Sequence, residues 1–166
     1  FSGQDVSLTV AGRTDAGVHA RHQVAHFDFR YQYQDGRPRD ITPYELAKAI
    51  NSFLVEEPIS IIDAEIVAYD FHARFGATNK TYQYVIINRR FKTGLDQGRA
   101  WWVKTPLDCS SMIEASKSLI GKHDFTSFRD TECQAKSPIR TIDNIKFDQQ
   151  EILNGQKITM TIQGRS

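Results

Sequence analysis

Hydrophobic and polar positions alternate with a period of two along much of the chain, and strand is therefore the dominant expectation. Val6-Ser7-Leu8-Thr9-Val10 and Val24-Ala25-His26-Phe27-Asp28-Phe29 alternate in this way, and each predicts a half-buried strand. Residues 59–67 are rich in β-branched side chains and predict a third. Residues 78–88 predict a fourth, with Tyr82, Tyr84 and Ile86 on one face and Thr81, Gln83, Val85 and Ile87 on the other. Residues 141–147 and 157–162 predict two more, beside an Asn154-Gly155 pair that reads as a hairpin turn. Two stretches change to helical spacing. Thr42-Pro43-Tyr44-Glu45 is a capping box with proline at the first helical position, and it opens a helix to about Leu54 with Leu46, Ala49, Ile50 and Phe53 on one face. A second helix is expected from about Ser110 to Ile120, with Met112, Ala115, Leu119 and Ile120 as its apolar stripe and Gly121 at its end. Strands that follow strands, with few helices between them, predict an α+β fold: a mostly antiparallel sheet with helices packed on one face. There is no internal repeat or linker, the polar stretch of residues 32–40 reads as an exposed loop, and residues 1–166 read as a single domain.

Composition narrows the class without choosing a function. A chain of 166 residues buries roughly 70% of its unfolded surface, enough for a core without covalent staples. No apolar run approaches the roughly 18 residues that cross a bilayer, so no membrane partner is expected. The first residues are polar and do not read as a secretory leader. Cys109 and Cys133 are too few for a disulfide framework, and a reducing cytoplasm is the expected compartment.

A net charge of +1 lacks the strongly basic footprint of most nucleic-acid-binding domains. The charge is unevenly spread, however. Between residues 70 and 104, seven cations (among them Arg74, Lys80, Arg89 and Arg90) face two anions, and Phe71, Phe75, Tyr82, Tyr84, Phe91, Trp101 and Trp102 interleave them. Cations for phosphates and flat rings for bases suit a structured RNA. A solvated strand face over core aromatics has the same composition.

The most informative string is Gly12-Arg13-Thr14-Asp15-Ala16-Gly17-Val18-His19-Ala20. It places one short carboxylate on a glycine-hinged turn, with a cation two residues before it and an imidazole four residues after. Glycine on each side permits a sharp turn and close approach of a bulky ligand. Other chemistries fit less well. His19, His22 and His26 with the two cysteines do not match the usual zinc spacings, so no metal is expected. Gly12 to Gly17 lacks the Gly-Lys-Ser/Thr ending of a phosphate-binding loop. Asp124 is a second carboxylate available for acid–base work, or, with His123, a turn former after Gly121. Gln134, Lys136 and Arg140 serve equally as phosphate contacts or as parts of a structural loop.

The glycine-flanked string resembles the signature of the TruA family of tRNA pseudouridine synthases, whose catalytic residue is the aspartate of Arg-Thr-Asp-Ala-Gly-Val-His. Three further blocks are similar to that family in order and spacing: Phe71-His72-Ala73-Arg74-Phe75 with Tyr82-Gln83-Tyr84, then Gly121 to Arg129, then Cys133 to Arg140. The resemblance covers roughly residues 5–164. It implies an isomerase with a pseudouridine-synthase-like α+β fold that converts uridine to pseudouridine at positions 38, 39 and 40 of the tRNA anticodon arm. It implies Asp15 as the catalytic carboxylate, Arg13 as the neighbouring cation, and Tyr82 as the ring packed against the target base. His19 and Arg74 join Arg13 and Tyr82 as expected substrate contacts. The resemblance also implies a homodimer and no metal or organic cofactor. Family members carry a strand and a helix ahead of the signature and an arginine-containing segment beyond the last strand. The chain is therefore expected to be the central, catalytic-core portion of a longer enzyme, lacking both ends.

Overall fold

The computed structural model describes residues 5–32, 35, 37, 39–129 and 137–165. The chain divides into two compact units, one formed by residues 1–13 and 22–76, the other by residues 14–21 and 77–166.

The first unit holds a two-stranded ribbon, β1 (Thr9–Val10) and β2 (Ala25–His26), paired antiparallel. It also holds helix α1 (Pro43–Phe53). The capping box expected at its start is formed: Thr42 Oγ1 accepts from the Glu45 N–H at 3.2 Å, and Glu45 Oε2 accepts from the Thr42 N–H at 2.9 Å. Hydrogen bonds from Thr42 to the Glu45 carboxylate, the backbone N–H first and then the hydroxyl, hold that carboxyl below its ordinary pKa. Ala47 is the buried residue of α1, whereas Phe53, expected on the apolar face, is exposed.

The alternating stretches of this unit form far less strand than their pattern predicts. Each contributes two residues of ladder, and residues 59–67 form none. Propensity does not supply a partner. The backbone of Ile61 is instead gripped by one side chain, donating its N–H to Asn51 Oδ1 and accepting from Asn51 Nδ2, both at 2.8 Å. Ile62 and Ile66 stay exposed.

The second unit is built on a five-stranded sheet of order β4-β3-β7-β6-β5. Its strands are β3 (Asn79–Arg89), β4 (Trp101–Val103), β5 (Gly121–Asp124), β6 (Ile139–Ile152) and β7 (Gly155–Arg165). Neighbours run antiparallel except β3 and β4, so the sheet is mixed, within an α+β architecture as expected. Rows of directly opposed residues cross it: Tyr82, Ile162 and Ile145; then Tyr84, Met160 and Phe147; then Ile86 and Ile158.

Helix α2 (Cys109–Ser116) covers this face. Cys109 joins Ile86 and Ile158 in the core, with Met112, Val103, Leu107 and Phe147 packed around them. Asp108 caps α2, and its carboxyl is held below the ordinary value, first by the Ser111 hydroxyl and then by the backbone N–H groups of Ser111 and Ser110. The helix is shorter than its apolar stripe predicts and tightens into a 3-10 turn over Lys117–Leu119. Ser116 and Ser118 donate their hydroxyls back to the carbonyls of Ile113 and Ala115 at 2.7 Å, a competition that weakens regular helix.

The hairpin between β6 and β7 turns one residue earlier than Asn154-Gly155 suggests. Leu153 and Asn154 form the loop, Asn154 takes φ 58°, and Gly155 already pairs with Ile152. Gly155 is dictated by close approach: a Cβ there would lie 2.3 Å from the Asn88 carbonyl oxygen and 2.5 Å from Arg89 Cβ.

Candidate active site

Each unit supplies part of the set of residues expected from the sequence. Asp15, His19 and Tyr82 belong to the second unit, and Arg13 and Arg74 to the first. Asp15, His19, Arg13 and Arg74 are exposed, and Tyr82 retains 54% of its accessible surface.

Asp15 heads a tight turn. Its carbonyl accepts from the Val18 N–H at 3.0 Å, and Gly17, the third residue of the four, takes φ +80°. That is the position at which a type II turn demands a left-handed residue, and glycine adopts it without steric cost. A Cβ at Gly17 would meet nothing within 4 Å, so the requirement is conformational rather than one of space. The turn leaves the Asp15 carboxylate exposed and, among the described residues, without a hydrogen bond or ion pair.

The neck of this loop is closed by hydrogen bonds inside the first unit. The Ala11 N–H donates to the Val24 carbonyl at 2.8 Å. Beyond it the Gly12 N–H donates to Gln23 Oε1 at 3.3 Å, and Gln23 Nε2 donates to the Gly12 carbonyl at 2.6 Å.

Arg74 sits on a turn organised by two histidines. His72 Nδ1 accepts from the N–H groups of Arg74 and Phe75 at 3.2 and 3.1 Å, and His26 Nδ1 accepts from Ala73 N–H at 3.1 Å. Both rings therefore carry their proton on Nε2. The two imidazoles lie 4.9 Å apart between centroids, and Phe75 packs on His72 at 4.2 Å. His26 thus serves the turn below Arg74. Among the described residues no cluster of three or more His, Cys, Asp or Glu side chains is placed to hold a metal ion.

The other candidates divide cleanly. Asp124 spends its carboxylate on structure, accepting the Thr126 hydroxyl at 2.6 Å and the Thr126 N–H at 2.8 Å, which together hold its pKa below the ordinary value. His123 Nε2 lies 2.8 Å from the Ile120 carbonyl, over the turn at Gly121. Cys133, Gln134 and Lys136 lie outside the described residues. Arg140 turns its guanidinium onto the carbonyls of Ser137 and Ile139 at 2.8 and 2.7 Å.

Asn88 is a residue whose role the strand pattern conceals. Its buried amide donates to the carbonyls of Val103 and Thr105 and accepts from Leu107 N–H and Gln156 Nε2, tying β4 and the segment after it to the sheet. The bonds that Gln23 and His72 make are equally silent in the sequence, because one-to-one amide and imidazole bonds leave no periodic trace.

Comparison with known proteins agrees with the signature. The tRNA pseudouridine synthase family model matches residues 115–166. The tRNA pseudouridine synthase A of Bradyrhizobium diazoefficiens is 46% identical over 166 residues, covering all of this chain and 63% of its own length. Those of Brucella ovis and Brucella abortus are 45% identical over 168 residues, with 62% of their length covered. Over its whole length this chain is similar to tRNA pseudouridine synthases. It spans about 63% of the length of the curated synthases it matches. The likeness runs through the exposed turn of Asp15 as well as the sheet, because the whole chain is aligned.

Proposed function

We propose that this chain is the catalytic-core portion of a tRNA pseudouridine synthase acting on uridines 38, 39 and 40 of the anticodon arm, with Asp15 as its catalytic carboxylate. The observation that carries the reading is the state of Asp15. It is exposed at the head of a glycine-built turn and spends its carboxylate on no described protein group, whereas Asp108 and Asp124 are consumed by caps and turns.

The reaction breaks the N1–C1′ bond of uridine, rotates the uracil, and rejoins it through C5. The C5 proton is lost and N1 gains one, so the product is an isomer and no redox partner is involved. One carboxylate suffices as nucleophile or base. A stem nucleotide must be extruded first, at a cost of a few kcal/mol. Stacking on an aromatic ring returns about 1–3 kcal/mol of that, and the half-exposed ring of Tyr82 supplies it. Arg13, Arg74 and His19 are the exposed polar groups for the RNA backbone and ribose. The chain acts as a homodimer in the cytoplasm, and a basic groove shared by two copies accounts for a net charge of only +1 on each. No helix among the described residues is long and apolar enough to cross a membrane.

The test is to incubate the protein with an unmodified tRNA carrying uridines in the anticodon arm and elsewhere and map pseudouridine by position. Product confined to positions 38–40 is expected. Product only elsewhere in the tRNA would overturn the substrate assignment.

A further inference from the structure

Both hydrogen-bonding groups of the Gly12 backbone are taken by a single side chain, the amide of Gln23. The β1–β2 ribbon ends at the bond from Ala11 N–H to the Val24 carbonyl. A further backbone rung would prolong the ribbon and shorten the loop at its end. A side-chain amide satisfies the same two groups and ends the ribbon, so the chain is released after Gly12 and recaptured at Gln23. Asn51 grips the backbone of Ile61 in the same reciprocal way, so the device recurs among the described residues of this unit.

We infer that Gln23 is a positioning residue for Asp15, its amide closing the neck of the loop that carries the carboxylate. The inference rests on the reading of Asp15 as the catalytic group. Its physical basis is a division of labour. The turn from Asp15 to Val18 fixes the carboxylate locally, while the clamp fixes the two ends from which that turn is hung. Residues 14–21 are exposed throughout, so buried apolar contact does not do this work. The chemistry of the clamp is specific. It needs a donor and an acceptor side by side, which at neutral pH the amides provide, and asparagine is one methylene shorter. An ionised glutamate only accepts, and it would set an oxygen against the Gly12 carbonyl. A protonated glutamate both donates and accepts, and so restores the pair.

The experiment compares the parent with Gln23→Ala, Gln23→Glu and Asp15→Ala in single-turnover pseudouridine formation, tRNA binding, thermal unfolding and tryptic cutting at Arg13 and Arg21. Misplacement of a reacting group by about 1 Å costs on the order of 10²-fold. Gln23→Ala is expected to lose roughly 10- to 100-fold in single-turnover rate on that scale. Its tRNA Kd should stay within about twofold of the parent and its loop should be cut several-fold faster, because the clamp orders the loop without being the binding surface. The Gln23→Glu rate, divided by that of the parent at each pH, should climb toward one as pH falls toward the glutamate value of about 4.3. The same ratio for Gln23→Ala should stay flat. A role confined to stability would lower the unfolding temperature and leave both ratios flat, and that result overturns the inference. Parental rate and parental cutting in Gln23→Ala, beside an inactive Asp15→Ala, overturn it equally. Parental rate in Asp15→Ala overturns the catalytic reading itself, and that variant alone distinguishes the two failures.

Discussion

The β6–β7 hairpin and the Asp15 loop are opposite solutions to the use of a backbone. In the hairpin, residues from Ile142 to Ile152 pair with partners from Gly164 back to Gly155, and Ile158 at its centre has no accessible surface. In residues 14–21 every side chain is exposed, and the loop's own backbone bond is the turn from Val18 to Asp15. The difference teaches where each kind of mutation should act. Stability resides in the sheet and its α2 cover, whereas the carboxylate assigned to chemistry stands on a segment that adds little to it. A carboxylate kept out of the packing is available to a substrate. The cost is that its position depends on a glycine turn and one amide rather than on burial.

Substitutions can break or sharpen that contrast, and the largest effect on stability is expected in the sheet. Ile158→Ala removes a fully buried side chain under α2 and should destabilise by about 2–5 kcal/mol in denaturant unfolding. Its folded fraction should retain the parental rate per molecule. Loss of rate without loss of stability there would erase the distinction between the two regions. Gly17→Ala forces an L-residue into φ +80°, at roughly 1–2 kcal/mol. The intact turn should then be about 5- to 30-fold less populated, so the fall should appear in single-turnover rate with little change in unfolding temperature. Asparagine tolerates the left-handed region, and Gly17→Asn should recover part of the rate.

Asp108→Asn has a smaller effect and depends on pH. The Asp108 carboxyl is held below its ordinary value in the folded protein, so its contribution is fully present above the unfolded value of about 3.9 and is lost as pH falls below that. Asparagine also caps helices. Parent and variant should therefore unfold within a few degrees of each other at pH 7, with any advantage of the parent shrinking as pH drops below about 4. A difference that stays constant with pH would show that the cap does not work through its charge.

Legibility follows the same division. The long strands of the second unit are readable because alternation there coincides with available partners, as the row of Tyr82, Tyr84 and Ile86 shows. The start of α1 is readable because its cap is local chemistry. β-Branched propensity fails to make a strand at residues 59–67, and alternation yields only short strands at β1 and β2, where the pattern is present but no long pairing accompanies it. Three-residue β4 and four-residue β5 carry too little pattern to be seen, and both are held by neighbours distant in sequence. Within the candidate site, the glycine-flanked aspartate and its glycine-hinged turn are visible in the string. The supporting bonds of Gln23, His26 and His72 are not, because each is a single pairing between residues that no periodicity links.

The most direct measurement is single-turnover pseudouridine formation by the parent and by Asp15→Ala, with thermal unfolding of both proteins in parallel. The account predicts no product from the variant and an unfolding temperature close to the parent's, since an exposed surface substitution ordinarily changes stability by no more than about 0.5 kcal/mol. Pseudouridine formed by Asp15→Ala at the parental rate would contradict it.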